Sequence, residues 1–192
     1  EVGNGFGCHS NNLTSLAGAP QKVGSGGFGC HSNNLTSLAG APQEVSRSFN
    51  CSDNKLTSLE GAPQEVGEHF SCGRNNLTSL EGAPQEVGGI FDCRRNQLTS
   101  LAGAPQELGG AFWYNTFELQ GGEWNFKGWL KLLREGSPEA QQLILPLMSP
   151  EVLNQEIQKD PAGMIMKLKE VWNDESFKEI RAKLVWPKGY GD

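Results

Sequence analysis

The sequence predicts an α/β-type solenoid, a coil of short repeats with one parallel sheet, followed by a small all-α C-terminal region. Three observations predict it. The segment LTSLxGAPQ occurs five times in 192 residues, starting at Leu13, Leu35, Leu56, Leu77 and Leu98, with spacings of 22, 21, 21 and 21. A Phe-x-Cys pair precedes every copy, and an Asn follows each Cys by three residues. After residue 119 this pattern stops and helix signals replace it. The expected division is a solenoid over 1–119, five repeats plus a degenerate sixth, and a helical cap or tail over 120–192.

Each element of the repeat has a physical reading. Phe and Cys are two residues apart, so on a strand both side chains point to one face. The Asn suits the turn that follows, because its side chain bonds exposed backbone and it tolerates unusual φ and ψ. The two Leu return the chain over the same interior. The Gly of GAP permits a sharp corner. One such unit is too short to enclose a core. Stacked units share one, with Phe, Cys, Leu, Leu and Val in parallel columns. Repeats 1 and 2 are near-copies, and repeat 2 carries one extra residue in Gly24-Ser25-Gly26-Gly27. In the sixth unit Tyr114 replaces Cys and Phe117 replaces Asn, which suits a lid over the end of the core.

This pattern resembles the leucine-rich repeat. Phe91, Cys93, Asn96 and Leu98 hold its second Leu, third Leu, Asn and fourth Leu positions, and Val87 holds the first. The LTSLxGAP segment is most similar to the short bacterial type, and to Cys-containing arrays of bacteriophage and prophage proteins. The resemblance covers residues 2–119. It implies a ligand surface on the sheet face, a non-enzymatic protein-binding module, and as the alternative a structural component of a virion or other assembly that self-associates. It also implies the cytoplasm of a bacterial host or a phage particle, with secretion left open because the chain starts at Glu1 without a Met.

The helical region reads as five helices: residues 125–135, then starts at Ser137-Pro138, Ser149-Pro150, Asp160-Pro161 and Asp174-Glu175, where a capping side chain precedes Pro or an acidic first turn. Met164, Ile165, Leu168, Val171 and Trp172 form the stripe of the fourth, and Phe177, Ile180, Leu184 and Val185 that of the fifth.

The charge balance bounds the partners. Sixteen basic against 22 acidic residues give a net charge of −6. An acidic stripe of Glu44, Glu60, Glu65, Glu81, Glu86 and Glu107 opposes nucleic-acid binding, where phosphate neutralisation dominates. No stretch of about 18 apolar residues reads as a membrane span. The five Cys share one repeat position, so they read as reduced, buried thiols. His9 and His31 follow Cys directly and point the other way, so no metal site and no cofactor are expected. No GxSxG, Walker A or HExxH pattern is present. Some leucine-rich-repeat effectors carry a ligase domain with a catalytic Cys, but no Cys follows Cys93. No enzyme is expected.

The exposed row differs between repeats. Between Phe and Cys lie Gly7, Gly29, Asn50, Ser71 and Asp92; after Cys lie His9, His31, Ser52, Gly73 and Arg94, then Ser10, Ser32, Asp53, Arg74 and Arg95. Residue types enriched at binding hot spots gather at the later repeats. The expected protein-binding residues are His69, Arg74, Asp92, Arg94, Arg95, Trp113 and Tyr114, facing an acidic, partly apolar partner.

Overall fold

The structure is a computed structural model, and it describes residues 1–115, 118–119, 128–129, 144, 148–168 and 171–189. The chain divides into two compact units, Glu1–Gly122 and Glu123–Asp192.

The first unit is a parallel-strand solenoid of about five turns. Strands β1 (Phe6–Gly7), β3 (Phe28–Gly29), β5 (Phe49–Asn50), β7 (Phe70–Ser71), β9 (Phe91–Asp92) and β11 (Phe112–Trp113) pair parallel and in register, Phe to Phe. β12 (Glu118–Leu119) adds to β11 antiparallel, with Phe112 opposite Leu119, and makes this a seven-stranded sheet. The sequence suggests one sheet; a second parallel one is present. It contains β2 (Lys22–Val23), β4 (Glu44–Val45), β6 (Glu65–Val66), β8 (Glu86–Val87) and β10 (Glu107–Leu108). Each turn therefore contributes two short strands, and each two-residue strand is held by its neighbours rather than by its own length. The extra residue of repeat 2 is absorbed between Val23 and Phe28, so the Phe6–Phe28 register survives.

The interior consists of the expected columns. Six Phe rings stack at centroid separations of 5.3–5.8 Å. Cys30, Cys51, Cys72 and Cys93 are fully buried, as are Leu35, Leu56 and Leu77 and the second column of Leu38, Leu59, Leu80 and Leu101. Ala41, Ala62 and Ala83 form a further buried column. All five thiols are free.

The Asn column points inward and bridges neighbouring repeats. The Asn54 Nδ2 donates to the carbonyls of Cys30 and Cys51, both at 3.1 Å, and its Oδ1 accepts the Leu35 N–H at 3.0 Å. Asn75 repeats this one turn on, with Cys51, Cys72 and Leu56. Asn33 and Asn96 do the same. Each amide satisfies buried backbone groups that the short strands leave unpaired, and a buried polar group without a partner costs about 1–3 kcal/mol. The residue before each Asn has a left-handed backbone: φ is 58° at Ser10, 55° at Ser32, 53° at Asp53 and Arg74, and 58° at Arg95. That twist turns the outward chain so that the next side chain enters the core.

The Gly of GAP is required at Gly82. Its φ is +83°, and a Cβ there would lie 2.4 Å from the backbone nitrogen of Glu60 in the previous repeat. Any side chain would force the turns apart.

In the second unit, α1 (Pro150–Lys159), α2 (Pro161–Leu168) and α3 (Lys178–Arg181) follow in order, with a 3₁₀ turn at Glu175–Phe177 before α3. Ser149 caps α1, its Oγ accepting the Val152 N–H at 3.3 Å, and Asp160 caps α2 through the Gly163 N–H at 3.0 Å. Leu153, Ile157, Met164, Leu168, Val171 and Phe177 are buried. Ile165 is exposed, so it does not belong to the buried stripe. The fifth helix is shorter than its apolar spacing suggests: it ends at Arg181, and Val185 is 62% exposed. Asn154 explains this, because it donates to the Lys183 carbonyl at 3.1 Å and accepts the Val185 N–H at 2.7 Å, which holds the chain extended along α1. The helices expected over 125–135 and after Ser137 lie outside the described residues, apart from the helical positions 128, 129 and 144.

Candidate functional site

The outward face of the seven-stranded sheet carries the residues that differ between repeats. Its strands are positioned by the buried Phe and Cys columns, so the outward side chains stand on a rigid base. At repeats 1 and 2 the floor is Gly7 and Gly29. The rings of His9 and His31 stack there, 4.5 Å apart and 9° from parallel. At repeat 3, Asn50 Oδ1 accepts the Ser52 N–H at 3.0 Å. At repeat 5, Asp92 occupies the same position and accepts the Arg94 N–H at 3.1 Å.

Asp92 also binds the Arg94 side chain with both oxygens, at 2.9 Å to Nε and 2.7 Å to Nη2. The Arg94 guanidinium lies over the Trp113 ring of the next strand, 4.4 Å from its centroid. A bidentate carboxylate fixes the plane of the guanidinium, and stacking on an aromatic face adds to it. Asp92, Arg94 and Trp113 therefore form one ordered stack.

The other expected residues are placed differently. Arg74 pairs with Asp53 of the previous repeat at 3.3 Å. Arg95 is exposed at the turn, and its N–H donates to Asn115 Oδ1. His69 precedes β7, and its Nδ1 accepts the Ile90 N–H at 2.9 Å, so in the neutral ring the proton belongs on Nε2. Tyr114 does not belong to the outward face. It occupies the inward Cys position, is 6% exposed, and its hydroxyl reaches the Leu98 carbonyl at 3.5 Å. Gly73 of the expected exposed row is buried as well, beneath the Arg94 backbone. Asp53 and Asn115 were missing from the expected set, although Asp53 shares a repeat position with Arg74 and must therefore lie beside it.

Charge across this face is largely compensated within it. Arg47 pairs with Glu68 at 3.4 Å, and these exposed pairs contribute about 0–1 kcal/mol each. Among the described residues, Arg95 is the cation of the face without a paired carboxylate.

Two other features of the solenoid bear on its chemistry. The second sheet lines a shallow groove of about 740 Å³ bordered by Glu65, Glu86 and Glu107. Their strands are in register, which sets like charges side by side. The thiols are chemically quiet. Burial pushes Cys30 up to about 12 and Cys51, Cys72 and Cys93 well above their ordinary value, while Cys8, at the first repeat, is raised and only half-buried. Among the described residues no three His, Cys, Asp or Glu side chains converge to hold a metal. No described helix is long and apolar enough to cross a membrane.

Fold and outward row together define a class: a parallel-strand solenoid repeat protein with a small helical region at its C-terminal end. Comparison with protein families, with curated proteins and with solved structures gives no match to this chain.

Proposed function

We propose that the solenoid is a leucine-rich-repeat array of the short bacterial or bacteriophage type, and that it binds a protein through the outward face of its seven-stranded sheet. Binding concentrates at repeats 4 to 6 and involves no catalysis. The observation that carries this reading is the Asp92–Arg94–Trp113 stack. A half-buried Trp, overlain by an Arg whose plane is fixed by a carboxylate, offers a preorganised aromatic anchor, and such anchors dominate binding energy. Arg95 beside it adds an uncompensated positive charge, so the partner presents an apolar patch edged by carboxylate. Protonated, unpaired thiols fit a reducing compartment, such as a bacterial cytoplasm or a particle assembled there.

The test uses a partner captured from a bacterial or phage-infected lysate and titrated against wild type and two variants. Trp113→Ala is expected to weaken binding by about 2 kcal/mol or more. Arg95→Glu is expected to slow association, with the effect fading at high salt. Wild-type binding by both variants, with loss on changing His9 or His31, would place the site at the other end of the array and overturn the reading.

A further inference from the structure

We infer that the His9–His31 stack is an acid-sensitive clasp between the first two repeats, closed while both imidazoles are neutral and loosened by protonation. This inference is independent of the proposed binding function.

The geometry is particular to these two repeats. The rings lie face to face at 4.5 Å. They lie over a glycine floor: a Cβ on Gly7 would lie 3.4 Å from His9 Cδ2, and one on Gly29 would lie 3.6 Å from His31 Nδ1. The equivalent pairs in later repeats are Asn50 with Ser52, Ser71 with Gly73, and Asp92 with Arg94, none of which can form an imidazole stack.

Protonation is opposed twice. His31 Nδ1 is closed off from solvent and has no hydrogen-bond partner among the described residues. The imidazolium carries an N–H on both ring nitrogens, so the charged form places a buried donor at Nδ1 with no acceptor. A proton on each ring would then set two like charges in face-to-face contact. Burial first and His9 second hold His31 below its ordinary value of 6.5. Asp53 of the next repeat acts in the opposite direction on His31, but its carboxylate is shared with Arg74 at 3.3 Å. The sign follows. The folded state binds its proton less readily than the unfolded chain. The stabilisation is complete above about pH 6.5 and is lost as pH falls through the lower folded value.

The first repeat is also where such a loss has a structural outlet. Phe6, Cys8 and Leu13 are half-buried, whereas their counterparts Phe28, Cys30 and Leu35 are fully buried. Ser10, next to His9, donates its N–H to the His31 carbonyl at 3.1 Å, and Cys8 donates to Gly29 at 2.8 Å. These are the bonds that open when the clasp loosens. Regions with few buried contacts open at the lowest free energy.

The experiment is an NMR pH titration of the full chain and of His9→Asn, His31→Asn and the double variant, with amide exchange measured at pH 7.5 and pH 5. The His31 midpoint is expected below 6.5 and to rise in His9→Asn. After correction for intrinsic exchange, the Cys8 and Ser10 amides should lose about tenfold more protection than the Cys72 amide for each pH unit of depression. In the double variant this excess should vanish. A His31 midpoint at or above 6.5, or an excess loss that persists in the double variant, overturns the inference.

Discussion

In the solenoid, the Leu56 backbone N–H donates to the Asn75 side chain, nineteen residues further along. In the helical unit, the Val152 N–H donates to Ser149, three residues back. The first bond exists only when two turns are stacked; the second can form in an isolated segment. The difference extends to the cores. Every solenoid column is continued by the neighbouring repeat, so no repeat completes its own interior. The helical unit buries Leu153, Ile157, Met164 and Phe177, and its helix starts are held by local caps. Damage to an inward solenoid position should therefore propagate through the neighbouring turns, while damage to a helix cap should stay local.

Substitutions graded by expected effect sharpen this contrast, and denaturant midpoints measure each one. Asn54→Ala should be the most damaging, at about 3–5 kcal/mol. It orphans the Leu35 N–H and removes donors to two Cys carbonyls in the buried ladder. Leu77→Ala should cost about 2–5 kcal/mol as a truncation at a fully buried site. Ser149→Ala should cost about 1 kcal/mol and leave the solenoid transition unchanged. Arg95→Ala should lie within about 0.5 kcal/mol of wild type. If Asn54→Ala is no worse than Arg95→Ala, the Asn is not inward and the contrast fails.

The solenoid interior was legible because the sequence states it five times. A Phe-x-Cys pair is weak evidence alone, but five at spacings of 21 or 22 residues put the columns beyond coincidence, and the parallel pairing followed. The Glu-Val strands were not legible, since one outward and one inward residue make no visible alternation. Asn was expected in a turn bonding exposed backbone. Its inward bridging is hidden from the sequence because the same residue type serves both purposes. Tyr114 shows two rules in conflict: its repeat position is the inward Cys position, whereas its residue type suggests a binding surface, and position prevails. The Arg74–Asp53 pair was readable in principle, because residues at one repeat position become neighbours in register. In the helical unit, the caps at Ser149 and Asp160 were legible from side-chain chemistry. The end of α3 was not, because Asn154, far back in the sequence, takes the Val185 N–H that continued helix would have used internally.

One side of each Phe-x-Cys strand forms a shared, sealed interior, and the other carries the variable face. Native-state thiol alkylation followed by mass mapping tests this most directly, because one thiol reports on each of five repeats. Cys8, half-buried at the first repeat, should be labelled first. Cys30, Cys51, Cys72 and Cys93 should stay protected until denaturant opens the array. Equal labelling of all five thiols under native conditions would contradict it.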